Sequence, residues 1–293
     1  MYLVSHAMES QKKHTKQFSF EFFPPKTDEG REKLRATYRE LAALQPRYVS
    51  VTFGAGGSTQ AGTLETVHEM LSDGLEAAPH LSCIGSTKAN IREILQGYVE
   101  LGVKRIVALR GDMPSGMREA GEFHYANELV EFIRAETGDH FHIEVAAYPE
   151  FHPQAASARA DLRNFKRKVE AGADAAITQY FFNVDAYVRF IDDCEKLGLD
   201  LPIVPGIMPI TNYKQLARFS DACGAEIPRW LRWRLEGYGD DLAAIRAYGQ
   251  QVTNELCQRL LEAGAPGLHF YTMNQIRPTR EAFEAIGLTT GDE

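Results

Sequence analysis

The chain is poor in cysteine, in long apolar runs and in excess positive charge, and each shortage removes a class of function. Four cysteines occur in 293 residues, at positions 83, 194, 223 and 257. None pairs with another at metal-ligand spacing, so no zinc site or other metal is expected. Thiols scattered in this way read as reduced cysteines, not as a disulfide framework. No apolar run approaches the roughly 20 residues of a membrane span. The first 17 residues are polar and carry Lys12, Lys13 and Lys16 with no apolar stretch behind them, so they read as a flexible lead-in and not as a secretory signal. Lysine and arginine number 32 against 40 aspartates and glutamates, a net charge of -8. An acidic chain without a long basic run is a poor match for nucleic acid or an anionic membrane. A cytoplasmic protein is the expectation.

What the chain does contain is a regular alternation. Short β-rich runs are expected at 18–23, 48–53, 78–84, 105–110, 143–148, 175–179, 203–207 and 267–272. Many are apolar on both faces, as strands buried between a barrel core and a shell of helices should be. Helical patterns fall between them at 32–44, 90–101, 125–134, 156–171, 184–197, 213–222, 227–235 and 241–263. Gly102, Gly172, Gly198 and Gly264 sit where helices should stop. Eight such units predict an α/β fold with a parallel sheet closed into a (β/α)8 TIM barrel. The barrel is expected to be one domain over 18–293, with an extra helix before the last strand. A doubly wound open sheet is the alternative. Against it, no Gly-rich dinucleotide fingerprint follows the first strand, and Gly54-Ala55-Gly56-Gly57 after the second lacks the spacing.

In such a barrel the active site forms at the carboxyl ends of the strands. Those positions hold Glu21, Thr52, His80, Arg110-Gly111-Asp112, Tyr148, Glu150, Gln179 and Tyr271-Thr272, with His152, Asn274 and Gln275 just beyond. Polar groups at one end of many strands make a convergent pocket. Glu21 stands among Phe20, Phe22 and Phe23, and carboxylates are seldom buried among aromatics unless they are paired or working. Desolvation there favours the neutral, proton-donating form, which suits a general acid; a structural ion pair is the plainer reading. His80 reads equally as a satisfied core histidine. The Arg-Gly-Asp triplet ends a buried strand, so it is not an adhesion motif, and its glycine would let a ligand approach the backbone. Asp161, Asn164 and Lys168 share one helical face, with Arg167 on its edge. That face is either solvated or, near a barrel mouth, a diphosphate cradle.

These residues also carry a resemblance. Seven stretches occur in order: Ser19-Phe20-Glu21-Phe22-Phe23-Pro24-Pro25, Val49-Ser50-Val51-Thr52, Glu76-Ala77-Ala78-Pro79-His80-Leu81, Ala108-Leu109-Arg110-Gly111-Asp112, Ala146-Ala147-Tyr148-Pro149-Glu150, Ile177-Thr178-Gln179-Tyr180-Phe181-Phe182 and His269-Phe270-Tyr271-Thr272-Met273-Asn274. Together they resemble the short bacterial methylenetetrahydrofolate reductases, from about Phe18 to about Gln275. The resemblance implies a barrel that binds FAD non-covalently. By ping-pong, NADH (or NADPH) reduces the flavin and leaves; methylenetetrahydrofolate then accepts hydride, and the methyl group serves methionine synthesis. It implies Glu21 as the acid that opens the folate ring to an iminium, and Asp112 as a catalytic contact to pterin and flavin. The implied flavin contacts are Thr52, Phe53, His80, Arg110, Gly111, Asp112, Tyr125, Ala126, Tyr148, His152, Ala155, Asp161, Asn164, Arg167 and Lys168. The implied substrate contacts are Thr52, Asp112, Gln179, Gln215, Phe219 and Gln275, and the family implies a homo-oligomer.

One position departs from the pattern. Gln275 stands where the family often has an arginine, and glutamine cannot supply that charge to a folate carboxylate. Arg277 or Arg280 is the expected substitute. The chain stops near Glu293, so control by adenosylmethionine, known in longer relatives, is not expected. Two alternatives stay open: a flavin-free reductase of the same family, and a folate-binding barrel without catalysis.

Overall fold

The structure, a computed structural model, describes residues 8–53, 60–112 and 121–287. The glycine stretch 54–57 lies outside the described residues. In chain order the elements are α1 (Glu9–Lys12), β1 (Gln17–Phe22), α2 (Asp28–Ala42), β2 (Tyr48–Val51), α3 (Gln60–Ser72), β3 (Ala77–Ser82), α4 (Lys88–Glu100), β4 (Arg105–Leu109), α5 (Ala126–Thr137), β5 (His142–Ala147), α6 (Ala158–Glu170), β6 (Ala175–Thr178), α7 (Val184–Lys196), β7 (Ile203–Val204), β8 (Gly206–Ile207), α8 (Tyr213–Cys223), α9 (Arg229–Gly237), α10 (Leu242–Ala263), β9 (Gly267–Tyr271) and α11 (Arg277–Ala285).

Every strand pairing is parallel, in the order β7-β6-β5-β4-β3-β2-β1-β9-β8. β7 and β8 are halves of one strand interrupted at Pro205, which has no N–H to give a ladder. The Pro205 carbonyl still accepts from His269 N at 2.9 Å. β7 therefore closes on β6 and β8 on β9, and the eight expected strand positions form a closed TIM barrel. Polar caps start the helices: Thr27 accepts from Gly30 N, Thr87 from Asn90 N and Ser157 from Ala160 N. The four glycines expected at helix ends all take positive φ. The extra helix before the last strand is present, as α9.

Three helices, α1, α3 and α11, were not expected, α1 falling in the stretch expected to be a flexible lead-in. The buried face of α3 carries Thr63 and Thr66 beside Val67 and Met70. Two hydroxyls on the buried stripe blur the apolar period by which a helix is read. They are satisfied locally, Thr63 Oγ1 donating to Thr52 O at 2.9 Å and Thr66 Oγ1 to Gly62 O at 2.7 Å. In the lead-in, residues 8–16 pack against the barrel. Gln11 is buried, donating to Leu201 O at 3.1 Å and accepting from Ile203 N at 2.8 Å. Among the described residues, no helix is long and apolar enough to cross a membrane.

Alternation along the strands sorts side chains into two environments. On β1, Phe20 and Phe22 point outward into the core between strands and helices, where Phe20 meets Phe270 at 5.9 Å. The barrel interior is smaller, with Tyr48, Ala78, Val107 and Ile177 as its apolar part. Leu109 and Tyr271 pack against that part, and polar side chains share the interior. At the level of Tyr48, Arg105 donates to Glu144 at 2.7 Å and to Glu76 at 2.9 Å, and its guanidinium lies 4.4 Å from the Tyr48 ring centroid.

Candidate active site

Glu21 is the fifth residue of β1 and shares the interior face with Ser19. Register places Ser19 beside His269 and Glu21 beside Tyr271 on β9. His269 Nδ1 meets Ser19 Oγ at 2.7 Å, and its Nε2 lies 3.4 Å from Glu21 Oε2. His80 Nε2, from β3, is also 3.4 Å from Glu21 Oε2 but lacks hydrogen-bond alignment. One carboxyl thus faces two buried imidazoles. Burial holds His80 below the usual histidine range; the Glu21 charge pulls the other way, and the neighbouring His269 adds to the lowering. With the Ser19 hydroxyl donating to Nδ1, His269 presents its Nε2–H to Glu21.

Tyr271 lies next to this group. Its hydroxyl donates to Thr178 O at 2.7 Å, across β8. Burial, reinforced by the nearby Glu21 and Tyr148, pushes its phenol well above the usual range. The crossing requires glycine at 206: a Cβ there would sit 2.3 Å from Thr178 O and 2.6 Å from the Tyr271 ring.

Beside the mouth runs a cleft of about 300 Å³. It lies over the ends of β4 and β5 and along α5 and α6. Of the residues singled out from the sequence, Arg110, Gly111, Asp112, Tyr125, Ala126, Tyr148, His152, Ala155, Asp161, Asn164, Arg167 and Lys168 line it. Three segments far apart in sequence are therefore brought together. Gly111 has φ +81°, and a Cβ there would strike Ser82 at 2.8 Å. Arg110 donates to Gln154 Oε1 at 2.6 Å, and Asp161 accepts from His152 N at 2.8 Å. Lys168 Nζ donates to Ala146 O at 2.5 Å; although the residue as a whole is partly exposed, desolvation of its ammonium pulls it down to about 8. Burial and the charge of Asp161 push Tyr148 up to about 12. The wall thus combines three cations with amide, phenol and imidazole groups, a donor set that fits a dianionic diphosphate with a flat aromatic group.

The remaining singled-out residues stand elsewhere. Thr52 and Phe53 follow β2, and His80 lies under Glu21 in the barrel interior. Gln179 follows β6 and lines a small recess with Tyr148 and Glu150. Gln215 and Phe219 are half-buried on α8, and Gln275 is exposed after β9. Asn127, Ala146 and Gln154 also line the cleft, and His269 and Ser19 contact or support Glu21; none of these was singled out from the sequence. His269 carried one readable signal, its even spacing from Tyr271 within a quoted motif.

Comparison with known proteins bears on the family. The methylenetetrahydrofolate reductase family model matches residues 6–287. A 5,10-methylenetetrahydrofolate reductase of Pectobacterium carotovorum is 44% identical over 274 residues, covering 92% of this chain and 90% of that one. The Escherichia coli K12 enzyme of the same name is 41% identical over 278 residues, covering 93% and 91%. Methylenetetrahydrofolate reductase (NADH) 1 of Arabidopsis thaliana is 40% identical over 271 residues, and this chain spans 46% of its length. Among solved structures, an uncharacterized protein from Clostridium thermocellum, described as binding two copies of 5-methyl-5,6,7,8-tetrahydrofolic acid, superposes with a TM-score of 0.65 at 16% identity, covering 96% of each chain. That likeness is one of fold, whereas the family match rests on sequence across nearly the whole chain. The chain belongs to the methylenetetrahydrofolate reductase family.

Proposed function

We propose that the protein reduces 5,10-methylenetetrahydrofolate to 5-methyltetrahydrofolate, taking electrons from a reduced nicotinamide by way of FAD. The observation that carries this reading is Glu21: a mouth carboxyl between His80 and His269, near a cleft lined by Arg110, Arg167 and Lys168. FAD, when bound, supplies the hydride relay between the two substrates. Arg167 and Lys168 would neutralise its diphosphate, and Asp161 and Asn164 would take its hydroxyls. The backbone at Gly111 allows close approach. Asp112 would set a negative charge beside the ring and contact the pterin.

Nicotinamide and folate use the same mouth in turn, so the mechanism is ping-pong. Gln179 holds the amide edge of either substrate, Phe219 stacks on it, and Thr52, Gln215 and Gln275 complete the folate contacts. Glu21 gives its proton to a folate nitrogen so that the five-membered ring opens; a closed aminal carbon is a poor hydride acceptor. The carboxylate left behind faces the buried His269 Nε2–H, which stabilises it. NADH is the preferred donor in this reading, in keeping with the name of the Arabidopsis relative.

Anaerobic stopped-flow tests the whole scheme. NADH should bleach the flavin absorbance of the purified protein, and methylenetetrahydrofolate should restore it. A colourless protein that takes up no FAD on titration would refute the flavin part. A second expectation concerns Lys168 alone. Its ammonium is cationic below about 8 and neutral above. A diphosphate favours the cation, so affinity for FAD should fall as pH rises from about 8. Lys168→Met should weaken binding by about tenfold and flatten that slope, read by quenching of flavin fluorescence.

A further inference from the structure

The turn after β9 has an unusual backbone. Met273 and Asn274, neither of them glycine, take φ of 52° and 53° in succession. Asparagine tolerates the left-handed region; methionine does not do so readily. Strain of this kind persists only where surrounding structure imposes it, and it clusters at working sites.

Here the imposing structure is visible. The β1–β9 ladder ends at the Glu21–Tyr271 pair. Just past it, Glu21 O accepts from Thr272 Oγ1 at 2.6 Å and from Thr272 N at 3.3 Å. The same Thr272 Oγ1 accepts from Asn274 N at 3.1 Å. The Asn274 side-chain amide then turns to Phe23. Its Oδ1 accepts from Phe23 N at 3.1 Å and its Nδ2 donates to Phe23 O at 2.9 Å. A side-chain amide thus takes the part of a strand peptide and continues the ladder beyond the last backbone pairing. On the other flank, Phe22 O accepts from Thr52 N at 2.9 Å. Residues 21–23 are therefore pinned from β9 on one side and from β2 on the other.

We infer that Asn274 is a positioning residue for the acid: its double hydrogen bond to Phe23, made possible by the two left-handed residues, fixes the carboxyl end of β1 and with it the Glu21 side chain. This inference rests on the reading of Glu21 as the proton donor. Proton transfer demands a donor placed to within a fraction of an ångström, and a displacement of about 1 Å costs roughly a hundredfold in rate. Hydride transfer from nicotinamide involves no proton from Glu21 and should be insensitive to the clamp.

Two variants separate the clamp from the strain. Asn274→Ala removes the amide and keeps a side chain that resists positive φ. Asn274→Gly removes the amide and relieves the backbone. Both should slow flavin reoxidation by methylenetetrahydrofolate by roughly tenfold to a hundredfold, with flavin reduction by NADH unchanged. Both should also speed amide hydrogen exchange at Phe23, a readout available in the protein without flavin or substrate. Wild-type reoxidation in Asn274→Gly, equal losses in both half-reactions, or unchanged exchange at Phe23 would each overturn the inference. Failure of the acid reading looks different: Glu21→Gln would keep full folate turnover whatever exchange at Phe23 shows.

Discussion

Glu21→Gln should lower methylenetetrahydrofolate reduction by about a thousandfold while NADH oxidation with a quinone acceptor stays close to wild type, since general acids contribute typically 10²- to 10⁴-fold. Glutamine has nearly the shape of glutamate, and its side-chain oxygen can still accept from the His269 Nε2–H. The variant should fold and bind flavin normally, so the loss isolates the proton. Neither adjacent imidazole replaces it. His80 and His269 are both buried, His269 is tied to Ser19, and burial keeps His80 neutral at physiological pH. The split between half-reactions is what decides. Rapid mixing of NADH-reduced variant with methylenetetrahydrofolate should show almost no reoxidation, against normal reduction in the preceding phase. If the variant keeps full folate turnover, Glu21 is not the acid. If both phases slow together, its role is structural.

Much of the barrel was legible because strands and helices of this fold announce themselves by different means. The strand runs are short, β-branched or aromatic, and apolar on both faces, and glycines mark the helix ends between them. The split of the seventh strand had a readable signal in Pro205-Gly206, but the apolar residues on both sides joined 203–207 into one expected strand. α3 escaped because threonines occupy its buried stripe. The cleft was legible for a different reason. Arg110-Gly111-Asp112, Tyr148 and the Asp161–Lys168 face fall at or just after strand ends, and closure of the barrel brings those ends to one rim. His269 and Ser19 were harder. Period-two alternation tells which residues share a face but not whether a polar face meets solvent or a closed interior. Only closure turns Ser19, Glu21 and His269 inward together. The same ambiguity hid Arg105 and Glu144, which in an open sheet would read as an exposed ion pair.

That hidden pair should be the most costly one to break. Arg105→Met is expected to destabilise the protein by about 3–5 kcal/mol, the usual result when one partner of a buried ion pair is removed. The Arg105 side chain is 5% exposed and that of Glu144 0%. Glu144 Oε1 holds Arg105 Nη1 at 2.7 Å, and its Oε2 has no well-aligned hydrogen-bond partner among the described residues. Removing the guanidinium leaves a carboxylate deep in the barrel with no cation in place of Arg105, facing only the Tyr48 hydroxyl and His142, whose Nε2 is 3.9 Å away. Glu76 and Tyr48 lose a partner as well, the latter a cation 4.4 Å from its ring. A methionine fills much of the arginine's volume, so little of the loss comes from a void. The expected fall in melting temperature is on the order of 10 °C for a domain of this size, read by circular dichroism or by urea titration. The double variant Arg105→Met/Glu144→Leu sharpens the test. With both charges gone the desolvation cost goes too, so the double variant should be more stable than Arg105→Met alone, a departure from additivity of roughly 1–3 kcal/mol. A single variant within 1 kcal/mol of wild type would mean that water reaches Glu144. Simple additivity would mean that Arg105 acts by filling space and not by charge.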